Sequence, residues 1–315
     1  MKKIITLIVA ALFLGGAAFA NEKNNGNEAP QTVLTIKTSK ASKTLVQEWA
    51  NTYMQMNGSV KINVTCKQNA DADLEYTNGE AGNEAAGTQV QGKTVAYVGR
   101  YAILPVTSAS NPLNSELSSK NWSVNDLRKL YFSSLDEDLD EDDEANSGKA
   151  GKLREKLTVY SGANASSSAA AFAKHFGFQT SEIRGNKISG DDLYLLNAIE
   201  EDRQSLTFNN VAYLYDTQTR HLKQGIAILP LKVKSEVEET LQAGNLDETL
   251  RLLEQQPQDI IPVQNFGFAY SPLNASAESF LEWVITSGQA LNNQNGFMKL
   301  ATKDVEAQLK TLAQR

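Results

Sequence analysis

Short apolar runs alternate along this chain with stretches whose apolar residues recur every three or four positions. The runs predict strands over 33–39, 60–66, 94–99, 102–106, 156–161, 225–231 and 263–271. Between them, Leu45, Trp49, Tyr53 and Met56 mark one helix, and Leu127, Leu130 and Tyr131 mark another. The second opens with Ser123 and Asp126 at the spacing of a capping box. A long helical pattern from Ser235 to Gln255 is expected to break near Gly244. Phe280, Trp283 and Val284 predict a further helix ending near Gly288, and Val305, Leu309 and Leu312 predict the last. Trp49, Trp122 and Trp283 have apolar neighbours at helical spacing, which assigns them to the core rather than to ligand platforms. Strands alternating with helices predict an α/β architecture with largely parallel sheets, in which ligands sit beyond the carboxyl ends of strands. The segment from Thr77 to Gly92 has no periodicity and reads as an irregular excursion.

The two ends of the pattern change the picture. Residues 1–20 carry two lysines, an apolar core from Ile4 to Leu14 and small residues around Ala18 and Ala20, the layout of a cleavable signal peptide. A polar leader, 21–31, follows. No later run reaches the roughly 18 apolar residues of a spanning helix, so an exported chain that does not cross the membrane is expected. No cysteine follows the cleavage site, which excludes a lipid anchor there. Cys66 is the single cysteine, so no internal disulfide can form and stability must come from packing. The expected role of Cys66 is a small buried thiol.

The net charge is −7, yet eight acidic residues fall in one run, Asp136 to Glu144. Without that run and the two leader lysines the remainder stands near −1. No basic stripe suits nucleic acid or anionic lipid. The acidic run fits no EF-hand loop, which requires glycine at its sixth position and glutamate at its twelfth. It reads as part of a solvated loop over 133–152.

Candidate chemistry is sparse. There is no P-loop, dinucleotide fingerprint, zinc-protease motif or nucleophile elbow, and the histidines, His175 and His221, stand in no motif. Neither a catalytic residue, a metal nor a cofactor is expected. The informative stretch is "SGANASSSAAAFAKHFG", Ser161 to Gly177, where hydroxyl side chains precede an alanine-rich helix beginning near Ala169. Asn164, Ser166, Ser167 and Ser168 together with the first helical N–H groups could converge on an oxyanion. Asn164 or Ser166 acting only as an N-cap explains the stretch equally well. A second strand-to-loop-to-helix unit places Ser39, Lys40, Ala41 and Ser42 between a strand and a helix.

From about residue 33 onward the chain resembles the phosphate-binding periplasmic proteins of bacterial ABC transporters. The similarity lies in "SFLEWVITSGQALNNQNGFMKLATKDVEAQL" near the C-terminus and in "AILPVTSASNPL" followed by "WSVNDLRKLYF". The resemblance implies a two-lobed type II periplasmic-binding fold with an interlobe cleft. Lobe 1 would comprise 32–105 plus 262–315, and lobe 2 would comprise 106–261. It implies capture of phosphate or a related oxyanion for an ABC transporter permease, by a periplasmic monomer. Ser39, Lys40, Ala41 and Ser42 would contribute one binding loop, and Ser161, Asn164, Ala165, Ser166 and Ser167 another. Asp73 would take the place of a proton-accepting carboxylate, with Asp71 next, and Arg100 that of an arginine contact. The resemblance departs at one of three expected helix starts, because Cys66 and Lys67 run directly toward "ADADLEY". The alternative is a scaffold or adaptor that kept the fold and lost anion binding. A hydrolase using one of the serines lacks a base.

Overall fold

The alternation of strands and helices folds as expected, with additions. The computed structural model describes residues 32–67, 69–78, 89–90, 92–133, 144–163 and 168–313. The signal peptide and leader, most of the Thr77–Gly92 excursion, nearly all of the acidic run, and Asn164, Ala165, Ser166 and Ser167 lie outside the described residues. In chain order the elements are β1 (Thr32–Lys37), α1 (Lys43–Met56), β2 (Val60–Thr65), β3 (Leu74–Asn78), β4 (Gln89–Val90), β5 (Lys93–Ser108), α2 (Asn114–Leu117), α3 (Val124–Tyr131), α4 (Glu144–Lys156), β6 (Thr158–Gly162), α5 (Ser168–His175), β7 (Asn186–Ile188), α6 (Leu193–Glu201), β8 (Ser205–Asn210), α7 (Val211–Leu214), β9 (Ile226–Ile228), α8 (Ser235–Ala243), α9 (Leu246–Gln255), β10 (Val263–Tyr270), α10 (Ala275–Trp283), α11 (Ala290–Gln294) and α12 (Thr302–Ala313).

One strand organises the sheet. The runs at 94–99 and 102–106 are a single strand, β5, and the sheet order is β2-β1-β3-β10-β5-β8-β6-β7. The first half of β5 pairs antiparallel with β10, as far as Ala102 opposite Val263. From Ile103 opposite Asn210 it pairs antiparallel with β8, and its last residues also pair with β9. The sheet therefore has two wings that share β5. Away from β5 and β10 the pairing is parallel: β2 and β3 flank β1, and β7 and β8 flank β6. The mixture, rather than a largely parallel sheet, arises because β10 runs antiparallel to both β3 and β5, and β5 runs antiparallel to β8 and β9.

The core follows the periodicity. On α1 the buried face is Leu45, Val46, Trp49, Ala50 and Tyr53. The Trp49 indole donates to the Gly288 carbonyl at 2.9 Å, which ties α1 to the C-terminal helices. Trp49 and Trp122 are fully buried, and Trp283 packs edge-on to Tyr53. The capping box at α3 is complete: Asp126 N–H donates to the Ser123 hydroxyl while the Ser123 N–H donates to the Asp126 carboxylate. Gly244, in the left-handed region at φ 65°, ends α8 where the break was expected. Helix α10 runs through a π-helical segment, Val284–Gly288, into α11.

Two expectations are corrected. Residues 144–152, read as a continuation of the acidic loop, are helical in α4. Its composition is poor for a helix, but Ala150 and Leu153 are fully buried and the Arg154 guanidinium donates to the carbonyls of Lys129 on α3 and of Phe132 just after it, so packing outweighs propensity. The second correction is β8, a strand that "SLTFNN" did not signal. All six of its residues are buried, and its polar side chains are satisfied internally. The Thr207 hydroxyl donates to the Tyr160 carbonyl, and the Asn209 amide donates to the Asp192 carbonyl.

Candidate functional site

Between the wings lies a cleft of about 430 Å³. Its first wall is the turn from β1 into α1. Thr38, Ser39, Lys40 and Ala41 line it, and Ser42 braces it from behind. The Ser42 hydroxyl is buried and lies 2.8 Å from that of Thr38 and 2.6 Å from that of Ser39. Its own N–H donates to the Ser39 hydroxyl at 3.2 Å. Because this hydroxyl is engaged within the turn, it makes no side-chain cap bond to α1, and the first turn of α1 holds no acidic residue. The first N–H of α1, that of Lys43, closes on the Lys40 carbonyl at 3.3 Å, so the helix start has no side-chain cap and presents the positive end of its dipole.

The opposite wall has the reverse character. At the start of α5 the Ser168 N–H donates to the Asp192 carboxylate at 2.8 Å. The group holding this helix start is thus an anion from the protein itself. Asp192 closes "SGDD", the turn after β7 that begins α6. Burial pushes its carboxyl up, and the Ser168 hydrogen bond only partly offsets that. Asp191 stands beside it and accepts the Leu193 N–H at 3.0 Å. Gly190 makes the approach possible: at φ 115° it occupies the left-handed region, and a Cβ there would lie 2.7 Å from the Tyr194 ring.

The floor is polar and aromatic. Tyr76 on β3 donates to the Asn78 side chain at 2.7 Å, and burial pushes its phenol up. Tyr213 on α7 turns a buried hydroxyl toward Asp191 without completing a hydrogen bond to it. Lys37 is matched by Glu75 at 2.7 Å, a contact that holds the Glu75 carboxyl below its usual range. Lys40 sits 5.7 Å from the Tyr194 ring centre, a cation–π contact from one wall to the other. Cys66 also lines the cleft, its thiol pushed up by burial.

The residues singled out in the sequence divide accordingly. Ser39, Lys40 and Ala41 line the cleft, and Ser42 supports them. Asp73 does not reach it. Its carboxylate accepts the Thr35 N–H at 2.8 Å and the Asn274 amide at 3.0 Å, which fixes the start of β3 to β1 and to the N-cap of α10. Asp71 is exposed. Ser161 is buried, and its hydroxyl accepts from Lys187 at 2.9 Å instead of facing the cleft. Arg100 donates to the Lys299 carbonyl at 2.7 Å and pairs with Met298, a structural tie to the C-terminal segment. His175 meets the Asp259 carbonyl. No helix is described between β2 and β3, in agreement with the missing helix start. Among the described residues no group of three metal-binding side chains occurs, and no helix is long and apolar enough to cross a membrane.

The cleft residues that went unrecognised in the sequence are Tyr76, Asp191, Asp192 and Tyr213. One signal was available: Gly-Asp-Asp before a helical apolar pattern marks a strand-to-helix turn of the kind that builds such clefts. The tyrosines carry no comparable mark.

No protein-family model matches the chain, and comparison with curated proteins gives no match. Solved structures do match. A phosphate ABC transporter substrate-binding protein from Clostridium perfringens, solved with bound phosphate, aligns with a TM-score of 0.55 at 13% identity, over 85% of this chain and 100% of that one. An ABC-type phosphate transport receptor from Vibrio cholerae aligns with a TM-score of 0.53 at 12% identity, over 85% and 100%. The chain therefore shares the α/β fold of these phosphate transport proteins, as its sequence resemblance implied.

Proposed function

We propose that the protein is an exported solute-binding protein that captures an oxyanion between two lobes, 32–105 plus 262–315 and 106–261, and presents it to an ABC transporter permease. The observation that carries this reading is the uncapped start of α1 at the wall of the cleft. Three clustered hydroxyls and Lys40 surround it, with no acid in its first turn. Backbone N–H groups at a helix start and hydroxyl donors form the usual receptor for phosphate-like groups. Closure of the lobes around the solute would then create the form that docks on the permease. The fold shared with phosphate receptors supports this reading, and so does the sequence of residues 1–20, which has the form of an export signal.

Isothermal titration of the chain lacking residues 1–20 with phosphate, sulfate and molybdate tests the reading. Saturable heat with at least one anion at millimolar concentration or below is expected. Absence of binding to all three would overturn it.

A further inference from the structure

The two walls of the cleft differ in charge, and that difference bears on what the solute must be. At the α1 wall the donors are the hydroxyls of the turn Thr38–Ala41 and the Lys40 ammonium, set at a helix start without a side-chain cap. At the α5 wall stand two carboxylates, Asp191 and Asp192, neither of which has a cationic partner in an ion pair among the described residues. The other charged pair of the cleft, Lys37 and Glu75, cancels internally at 2.7 Å. A simple oxyanion held at the α1 wall would therefore face two like charges across the cavity, in an environment that water screens only partly. The Tyr213 hydroxyl, buried beside Asp191 on this side of the cleft, completes no hydrogen bond of good geometry, although the great majority of such groups are satisfied.

On the reading that this cleft binds a solute, we infer that the solute is a small zwitterion, an oxyanion carrying a protonated amine. The oxyanion is held by the turn Thr38–Ala41 at the start of α1. The ammonium lies against Asp191 and Asp192 at the start of α6. Tyr213 completes its hydrogen bonding on the solute between them. Asp192 cannot leave this arrangement freely, because it holds the Ser168 N–H, so the acidic wall is a fixed part of the receptor.

The test uses three probes on the same protein: inorganic phosphate, ethylphosphonate and 2-aminoethylphosphonate. The last two differ chiefly in the amine. Binding of 2-aminoethylphosphonate at least tenfold tighter than ethylphosphonate is expected. D191N and D192N keep the side-chain oxygens that accept the Leu193 and Ser168 N–H groups while removing the charge. Each should reduce that ratio several-fold, whereas a purely structural role would weaken both phosphonates alike and leave the ratio unchanged. Equal affinities for the two phosphonates, or an unchanged ratio in both variants, would overturn the inference while leaving oxyanion capture standing. Failure of all three probes to bind would remove both readings together.

Discussion

Two helix starts face each other across the cleft, and they are finished in opposite ways. At α1 the N-cap serine turns its hydroxyl inward, to Thr38 and Ser39, so no side chain of the protein caps the first turn. At α5 the corresponding position is held by Asp192, a carboxylate from the turn before α6. Both starts carry the same partial positive charge, and serine-rich sequence precedes both. The difference lies in where the nearest carboxylate comes from. A hydroxyl-rich helix start is thus a receptor only when the fold brings no internal acid to it. That information resides in the tertiary structure and not in the local sequence.

The largest expected effect comes from removing that internal anion. Asp192→Ala strips the Ser168 N–H of its partner, and destabilisation of about 2–3 kcal/mol is expected by chemical denaturation. Asp192→Asn should lose much less, since its side-chain oxygen can still accept. The same residue gives a pH signature. Burial raises the folded-state pKa of Asp192 above that of the unfolded chain, so the folded state binds the proton more tightly. Stability contributed by this group is therefore present at low pH. It declines as pH rises from the ordinary aspartate range near 3.9 through the raised folded value. The decline should vanish in Asp192→Asn.

A smaller effect separates structure from binding at Asp73. Asp73→Ala should cost roughly 1–2 kcal/mol through the lost Thr35 and Asn274 hydrogen bonds. Phosphate affinity, measured on the folded variant, should stay unchanged. A fall in affinity with no loss of stability would return Asp73 to the cleft. The smallest effect is expected at the open helix start. Ser42→Ala removes the hydroxyl that orders Thr38 and Ser39, worth about 1 kcal/mol, so oxyanion affinity should fall roughly fivefold.

Much of this architecture is legible in the sequence, and the losses have physical causes. The apolar face of α1, the capping box at Ser123 and the break at Gly244 are local signals, and each appears in the structure. Strand β8 is hidden because Thr207, Asn209 and Asn210 are buried, while burial is usually inferred from apolar side chains. Helix α4 is hidden because its glycines and serine argue against a helix, and contacts with α3 decide otherwise. At the cleft, the turn Ser39–Ser42 is legible as one wall because it joins a strand to a helix. Asp73 stands apart from the cleft because Thr35 and Asn274 claim its carboxylate, which position along the chain does not indicate. Asp191 and Asp192 lie about 150 residues after that turn, and only the pairing of both wings with β5 brings them opposite it.

The contrast between the two helix starts can be read directly from backbone amide chemical shifts during titration with phosphate. The amides of Ser39, Lys40 and Ala41 are expected to move with a common saturation curve, while those of Ser168 and Ala169 stay in place because Asp192 already holds that helix start. Movement of Ser168 and Ala169 with the Ser39–Ala41 amides unchanged would contradict the account.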